Sequence, residues 1–194
     1  MGASSASHAR RLREGYFDRY LVGHGVDMGC GEDPIREDAL RYDAIYGKNA
    51  ESPDDLAPAS FDYVFSSHCL EHLHDPPLAI QRWWALVKPG GHLVVTVPDY
   101  VLYEQRQWPS RFNADHKWTF SLFKPRTLPP SGDRHLVLSD LFVALDRCQI
   151  RSYRMCDERY SYDPTVYDRT WSDGAEADLE MICRKVAWDR WCSQ

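Results

Sequence analysis

The sequence predicts an α/β fold: a mostly parallel sheet with helices on both faces. Three observations predict it. Short hydrophobic, β-branched runs alternate with stretches of helical spacing. The first of these runs, Val26-Asp27-Met28-Gly29-Cys30-Gly31, passes straight from a strand into a glycine turn. Chemistry-bearing residues then recur just after the hydrophobic runs, where open α/β sheets bind ligands.

The elements follow in order. Met1 to Ala9 is small and polar and reads as a loose tail. Arg10 to Tyr20 places Leu12, Tyr16, Phe17 and Tyr20 at helical spacing. Gly23 and Gly25 end it, and Gly25 to Met28 begins a buried strand. Asp38 to Ile45 holds a second, short strand ending near Asp43. Phe61 to Ser66 is a third, rich in aromatic and β-branched residues. Asp75-Pro76-Pro77 supplies an N-cap and early prolines for a helix whose Ile80, Trp84 and Val87 share a face. Lys88-Pro89-Gly90-Gly91 stops it, and His92 to Val97 is the next strand, ending at Pro98-Asp99. A second helix is expected over Ser139 to Arg147. Strands are expected at Gln149 to Met155 and Leu179 to Arg184, pairing antiparallel at one edge. Between them, about 100–135 is long for a connection and carries Pro109, Pro125, Pro129 and Pro130. Long ordered connections serve as lids or binding loops.

Composition narrows the function classes. The 194 residues suit one domain spanning 1–194. At 43% hydrophobic and 27% charged the chain is an ordinary globular one. A formal net charge of -6 argues against a nucleic-acid partner, whose footprint is basic. No apolar run reaches the ~20 residues needed to span a bilayer, and no secretory h-region is present. Six cysteines without a CxxC pair read as reduced thiols in a cytoplasmic protein.

Ligand candidates cluster at the strand ends. Asp43 can accept from two ribose hydroxyls. Gly29, Ser66 and Asp27 can meet an amino-acid ammonium, and Ile45 with Asn49-Ala50 can flank an adenine. A dinucleotide fingerprint competes, but it needs a third glycine and a helix N-terminus for a pyrophosphate. Here Glu32 and Asp33 follow Gly31 and would repel one. A ligand without phosphates is favoured.

The order VDMGCG, then FDYVFSSHCLEHL, then LVKPGGHLVVTVPD, is similar to the small class I S-adenosyl-L-methionine-dependent methyltransferases of the methyltransferase-11 type. LEMICRK resembles their last strand. The resemblance implies a Rossmann-like, seven-stranded, mostly parallel sheet with its last strand antiparallel, and S-adenosyl-L-methionine as cofactor. It implies cofactor contacts from Asp27, Gly29, Cys30, Gly31, Asp43, Ala44, Asn49, Ala50, Ser66 and Ser67. Two departures stand out: Asp33 replaces a frequent third glycine, and the region from Pro34 to Asp54 is compressed, so a helix after the first turn is expected short or absent.

Methyl transfer from a sulfonium is an in-line displacement, so alignment and exclusion of water dominate. A hydroxyl acceptor also needs a base, for which His68 and His116 are the catalytic candidates. The loop from Tyr103 to Trp118 mixes polar groups with aromatics, suited to a saccharide or another small-molecule substrate. Tyr103, Arg106, Trp108, Arg111, Asn113 and Lys117 are its candidate contacts. Tyr153, Tyr160, Tyr162, Tyr167 and Trp171 read as packing, a pocket wall or a homodimer contact. Glu71 and His72 read as a hydrogen-bond network at a helix start.

Two other readings are carried. One is a non-catalytic binder of the same cofactor. The other is a zinc hydrolase, because His68-Cys69-Leu70-Glu71-His72 matches H-x-x-E-H, which on a helix puts both histidines on one face. The sequence indicates no third ligand, so no metal-binding residue is assigned.

Overall fold

The computed structural model describes residues 7–127 and 129–187. Met1 to Ala6, in the expected tail, and Cys192 lie outside them. Two short helices, α1 (His8–Arg13) and α2 (Tyr16–Tyr20), replace the single expected one. Gly15 separates them at φ 62°, a left-handed conformation that no helix continues through.

Six strands form the main sheet, in the order β2 (Leu40–Tyr42), β1 (Gly25–Met28), β3 (Phe61–Ser67), β4 (Val87–Pro98), β8 (Asp178–Lys185) and β7 (Cys148–Cys156). β2, β1, β3 and β4 run parallel, with Val26 opposite Val64 and Val64 opposite Leu93. β8 is antiparallel to both β4 and β7. The α/β reading holds, with six strands in this sheet among the described residues rather than seven. The compressed stretch after β2 holds only a 3-10 turn (Ala44–Tyr46) before the chain reaches β3.

Strand side chains alternate between two cores. Val64 and Val95 face one, with Met28, Trp83 and Phe142. Tyr63, Phe65 and Val94 face the other, with Tyr16, Leu21 and Ile35. Helix α3 (Pro76–Leu86) packs in the first core. Asp75 caps it by accepting from the Leu78 amide at 3.0 Å. The indoles of Trp83 and Trp84 are buried because their N–H groups donate to the carbonyls of Ala50 (2.7 Å) and Asp146 (2.9 Å). Lys88-Pro89-Gly90-Gly91 belongs to β4 itself rather than to a separate stop. The second expected helix shrinks to α4 (Asp140–Val143). Trp84 occupies the Asp146 carbonyl and Arg147 turns to φ 54°, so the chain leaves the helix early.

Within 100–135 the chain forms a small parallel pair, β5 (Thr119–Ser121) and β6 (His135–Val137), the former docked beside Asp99. β7 carries a register shift between Ile150 and Ser152. The five described cysteines are free, and none of the described helices is long and apolar enough to cross a membrane.

A buried ionic cluster fastens α1 to β8. Glu180 accepts from Tyr16 Oη at 3.0 Å and Arg154 at 2.8 Å, and lies 3.4 Å from Arg10 and 3.7 Å from Arg11. Burial opposes its ionisation, but Arg11, Arg10 and Arg154 together hold its carboxyl below the usual range. The Arg11 guanidinium also lies over the rings of Tyr16 (5.3 Å) and Phe65 (5.0 Å). Glu180→Gln strips the charge from this cluster and leaves the buried Arg11 guanidinium without its carboxylate, while Arg10 keeps Glu176 and Arg154 keeps Glu14. It is expected to cost about 3–5 kcal/mol. Thermal denaturation should read this as a Tm lowered by roughly 10 °C.

Candidate active site

The site begins where β1 ends. Gly29 sits at φ 74°, and a Cβ there would lie 2.4 Å from Cβ and Sγ of Cys69. Only glycine allows both the turn and that approach. The Gly29 amide donates to the Tyr42 carbonyl at 2.8 Å, tying the turn to β2. Asp43 follows β2 and accepts from the amides of Gly31 (3.0 Å) and Ile45 (2.9 Å), which fixes its carboxylate between the glycine turn and the 3-10 turn. Each carboxylate oxygen keeps a second lone pair for a ligand.

The chain between β1 and β2 contains no helix. Asp27 accepts from the Ile35 amide at 2.7 Å and holds that irregular crossover against the sheet. No helix N-terminus therefore faces the glycine turn, and the phosphate cradle of a dinucleotide site is absent from this stretch.

A cleft of about 570 Å³ opens over the strand ends, within the usual range for small-molecule sites. Gly29, Asp43, Ala44, Lys48, Asn49 and Ala50 line one side; His68, Cys69, His72, Leu73 and Asp115 line the other. Asn49–Glu51 is held by α3 and its cap: Trp83 donates to the Ala50 carbonyl, Arg82 to the Glu51 carbonyl at 2.7 Å, and the Asp75 amide to the Glu51 carboxylate at 2.6 Å.

The expected cofactor residues thus divide. Gly29, Asp43, Ala44, Asn49 and Ala50 come together. Asp27, Cys30, Gly31, Ser66 and Ser67 lie outside this cleft wall, and Ser66 donates to the Met28 carbonyl at 2.9 Å. Of the candidate catalytic pair, His68 lines the cleft and His116 is buried behind it.

None of the candidate substrate contacts belongs to the cleft wall. Tyr103 stacks on His116, with centroids 5.4 Å apart, and meets His68 edge-on. Arg111 covers Tyr167 at 4.3 Å, and Asn113 accepts from the Asp115 amide. Lys117 donates to the His72 carbonyl at 2.6 Å, while Arg106 is exposed and Trp108 half-buried. Of the later aromatics, Tyr160 donates to the Leu102 carbonyl and Tyr153 to that of Leu122; Tyr162, Tyr167 and Trp171 are exposed.

The segment around H-x-x-E-H is not an α-helix. His68 sits at φ 53° and Leu70–His72 is a single 3-10 turn. His68 and His72 therefore do not form a ligand pair on one helix face. Instead three imidazoles surround Glu71. His68 Nδ1 lies 3.6 Å, His72 Nε2 3.8 Å and His116 Nε2 3.9 Å from its Oε1. The opposite nitrogen of each ring meets another carboxylate: Asp178 at 2.9 Å, Asp115 at 3.0 Å and Glu104 at 2.6 Å respectively. Burial opposes protonation of His68, but the Asp178 carboxylate, with Glu71 behind it, outweighs this and raises its pKa to about 9. His68 is thus charged at neutral pH, with both ring nitrogens facing acids, and has no vacancy for an acceptor proton. Sequence reasoning missed Lys48, Cys69, His72, Leu73 and Asp115 in the cleft wall. Proximity of Cys69 and His72 to His68 was the available signal.

Comparison with known proteins bears on this geometry. The profile of a family described as "Methyltransferase domain" matches residues 13–128, more than half of the chain. The chain belongs to the S-adenosylmethionine-dependent methyltransferase family. The phosphoethanolamine N-methyltransferase 2 of Caenorhabditis elegans is 30% identical over 78 residues, 38% of this chain but only 18% of the relative's length. The fold is also that of solved methyltransferases. A SAM-dependent methyltransferase of Thermotoga maritima superposes with TM-score 0.56 at 16% identity, covering 93% of this chain and 88% of its own. The 1,6-didemethyltoxoflavin-N1-methyltransferase of Burkholderia thailandensis, solved with S-adenosylhomocysteine, gives 0.52 at 14%, covering 95% and 80%.

In this methyltransferase Asp27 carries a pH signature. Burial pushes its carboxyl up to about 7, against the Ile35 amide and Arg11, which favour the charged form. An acid with a higher pKa in the folded than in the unfolded chain stabilises the fold below its unfolded value, and that contribution is lost as pH rises through the folded value. The wild-type Tm is expected to fall between about pH 4 and 7 for this reason, and Asp27→Asn to flatten that part of the curve. Parallel Tm-versus-pH curves for the two proteins would refute it.

Proposed function

We propose that this methyltransferase acts on an oxygen of a small polar metabolite, a saccharide being the class that the acceptor side of the cleft suits. One observation carries the reading: the glycine turn and Asp43 share a single cleft with the polar wall of His68, His72 and Asp115. Donor and acceptor can lie in line there without crossing a barrier.

The residues present fit the cofactor. Gly29 brings its backbone to the cleft wall, with Cys69 packed where a Cβ would stand, Asp43 offers lone pairs for two ribose hydroxyls, and Asn49-Ala50 forms a short shelf for a flat base. The sulfonium donor supplies a methyl group already activated for displacement. The protein's task is alignment. Gly29 and Asp43 hold the donor side, and Tyr103 and His116 back the polar wall from behind. The His68 ring, held between Asp178 and Glu71, offers the acceptor a fixed charge, and the proton released from an acceptor hydroxyl passes to the Asp115 carboxylate at the cleft wall or to solvent. The curated relative's name points to a nitrogen acceptor, and the assay must therefore include amines.

Isotope-labelled S-adenosylmethionine offered with panels of sugars, nucleotide sugars and phosphorylated amines tests the proposal. Label in an O-methyl sugar supports it. Label only in an amine overturns the oxygen assignment, and donor binding without transfer to any panel favours the non-catalytic reading. Asp43→Ala removes hydrogen bonds made by a charged acceptor, each about 1.5–3 kcal/mol. Calorimetry should show the donor Kd raised at least ~10-fold; an unchanged Kd would remove Asp43 from the site.

A further inference from the structure

Glu71 is fully buried, and neither of its carboxylate oxygens has a hydrogen-bond partner. A bare carboxylate in such a place is costly unless a cation or donors compensate it. The imidazoles around it stand too far off to donate: 3.6 Å for His68 Nδ1, 3.8 Å for His72 Nε2 and 3.9 Å for His116 Nε2, so its only compensation is the charge of His68, which Asp178 engages more closely on the other side of the ring at 2.9 Å. One ligand atom from each of Glu71, His72 and His116 falls within 4.8 Å of the others. Metal–ligand bonds of about 2.0–2.1 Å require such atoms to be roughly 3.0–3.4 Å apart. The two Glu71–histidine separations therefore need to shorten by about half an ångström, and the His72–His116 separation by up to about 1.4 Å, to grip an ion.

The outer nitrogens are arranged for the same purpose. His116 Nδ1 meets Glu104 at 2.6 Å, and His72 Nδ1 meets Asp115 at 3.0 Å. An ionised carboxylate only accepts, so both Nδ1 atoms carry a hydrogen, and both Nε2 atoms face Glu71, where each can bind an ion in its unprotonated form. A carboxylate behind each ligating histidine is the usual outer support of a metal site. The backbone supplies further rigidity. The amides of Lys117 and Trp118 both donate to the Glu71 carbonyl, at 2.8 and 3.2 Å, and so lock the loop bearing His116 onto the turn bearing Glu71.

We propose that Glu71, His72 and His116 bind one divalent first-row transition metal ion. Two imidazoles and one carboxylate suit Zn²⁺, Fe²⁺, Co²⁺ or Mn²⁺ rather than Mg²⁺ or Ca²⁺, which take oxygen ligands. Three protein ligands leave positions open, and His72 belongs to the cleft wall. An acceptor hydroxyl or carboxylate oxygen in the cleft fills such a position, so the ion orients the substrate and draws charge from it. This last role rests on the methyl-transfer reading; the binding of the ion does not.

The test is made without donor or acceptor, so its failure is distinct from failure of that reading. Untagged full-length protein is stripped with chelator and titrated with MnCl₂ by electron paramagnetic resonance and with CoCl₂ by visible absorption. One equivalent of Mn²⁺ should leave the free-ion signal. Co²⁺ should give d–d bands without thiolate charge transfer. Glu71→Gln and His116→Gln should abolish binding. Asp115→Asn, at an exposed position, should weaken it about 10–100-fold. His74→Ala, at an exposed histidine outside the triad, should leave it unchanged. Binding that is absent in the wild type, equal in all variants, or marked by thiolate bands overturns the proposal. Because Asp115→Asn changes only an exposed side chain, it remains decisive if the buried variants do not fold.

Discussion

The approach of Cys69 to Gly29 sets the geometry of everything around the site. A side chain at position 29 would overlap Cys69, so the glycine turn after β1 can lie directly against the turn after β3. That contact puts Asp43 and two of the three imidazoles, His68 and His72, into one cleft. If the two turns stood a side chain further apart, the donor side and the polar wall would be separate features. The hydrogen bonds of Asp43 and of the Gly29 amide then fix the turn from the β2 side. The close approach is the constraint, and the hydrogen bonds preserve its consequences.

Two buried glutamates show how differently this chain treats charge. Glu180 is surrounded by guanidiniums and a tyrosine hydroxyl, all within reach, and it fastens a helix to the sheet. Glu71 is equally buried, yet its oxygens are left without donors and its neighbours are imidazoles whose better contacts face away from it. Satisfied buried networks rigidify a fold, whereas unsatisfied ones are costly and call for a cause. The contrast separates structural ionic packing on one face from chemistry on the other.

Much of the fold was legible because its signals were local. Asp75-Pro76-Pro77 announced α3, and the runs at Gly25, Phe61 and His92 announced the central parallel strands. The compressed region from Pro34 to Asp54 foretold a weakened first crossover, and that crossover has no helix at all. Errors arose where tertiary contacts overrode spacing. The helical pattern from Arg10 to Tyr20 hid the break at Gly15, and the expected Ser139–Arg147 helix ends early where Trp84 takes the Asp146 carbonyl. Of the cleft wall, Gly29 and Asp43 were legible because they directly follow β1 and β2, and Asn49-Ala50 because they come shortly after, beyond the 3-10 turn. The role of His116 was not. Its partners Glu71 and Glu104 sit on other segments, and no periodicity links them. Asp115, the sequence neighbour of His116, holds His72 instead, and Glu104 holds His116.

The edges of the sheet carry a consequence for solubility. On one side the sheet stops at β2, only three residues long and bearing Arg41. On the other, β7 is longer, but its register shift between Ile150 and Ser152 bends the outermost ribbon, and Arg151 is exposed there. Short, charged or kinked margins make poor templates for a foreign β-strand. Both open flanks of the sheet are thereby guarded against the edge-to-edge growth that leads to aggregation.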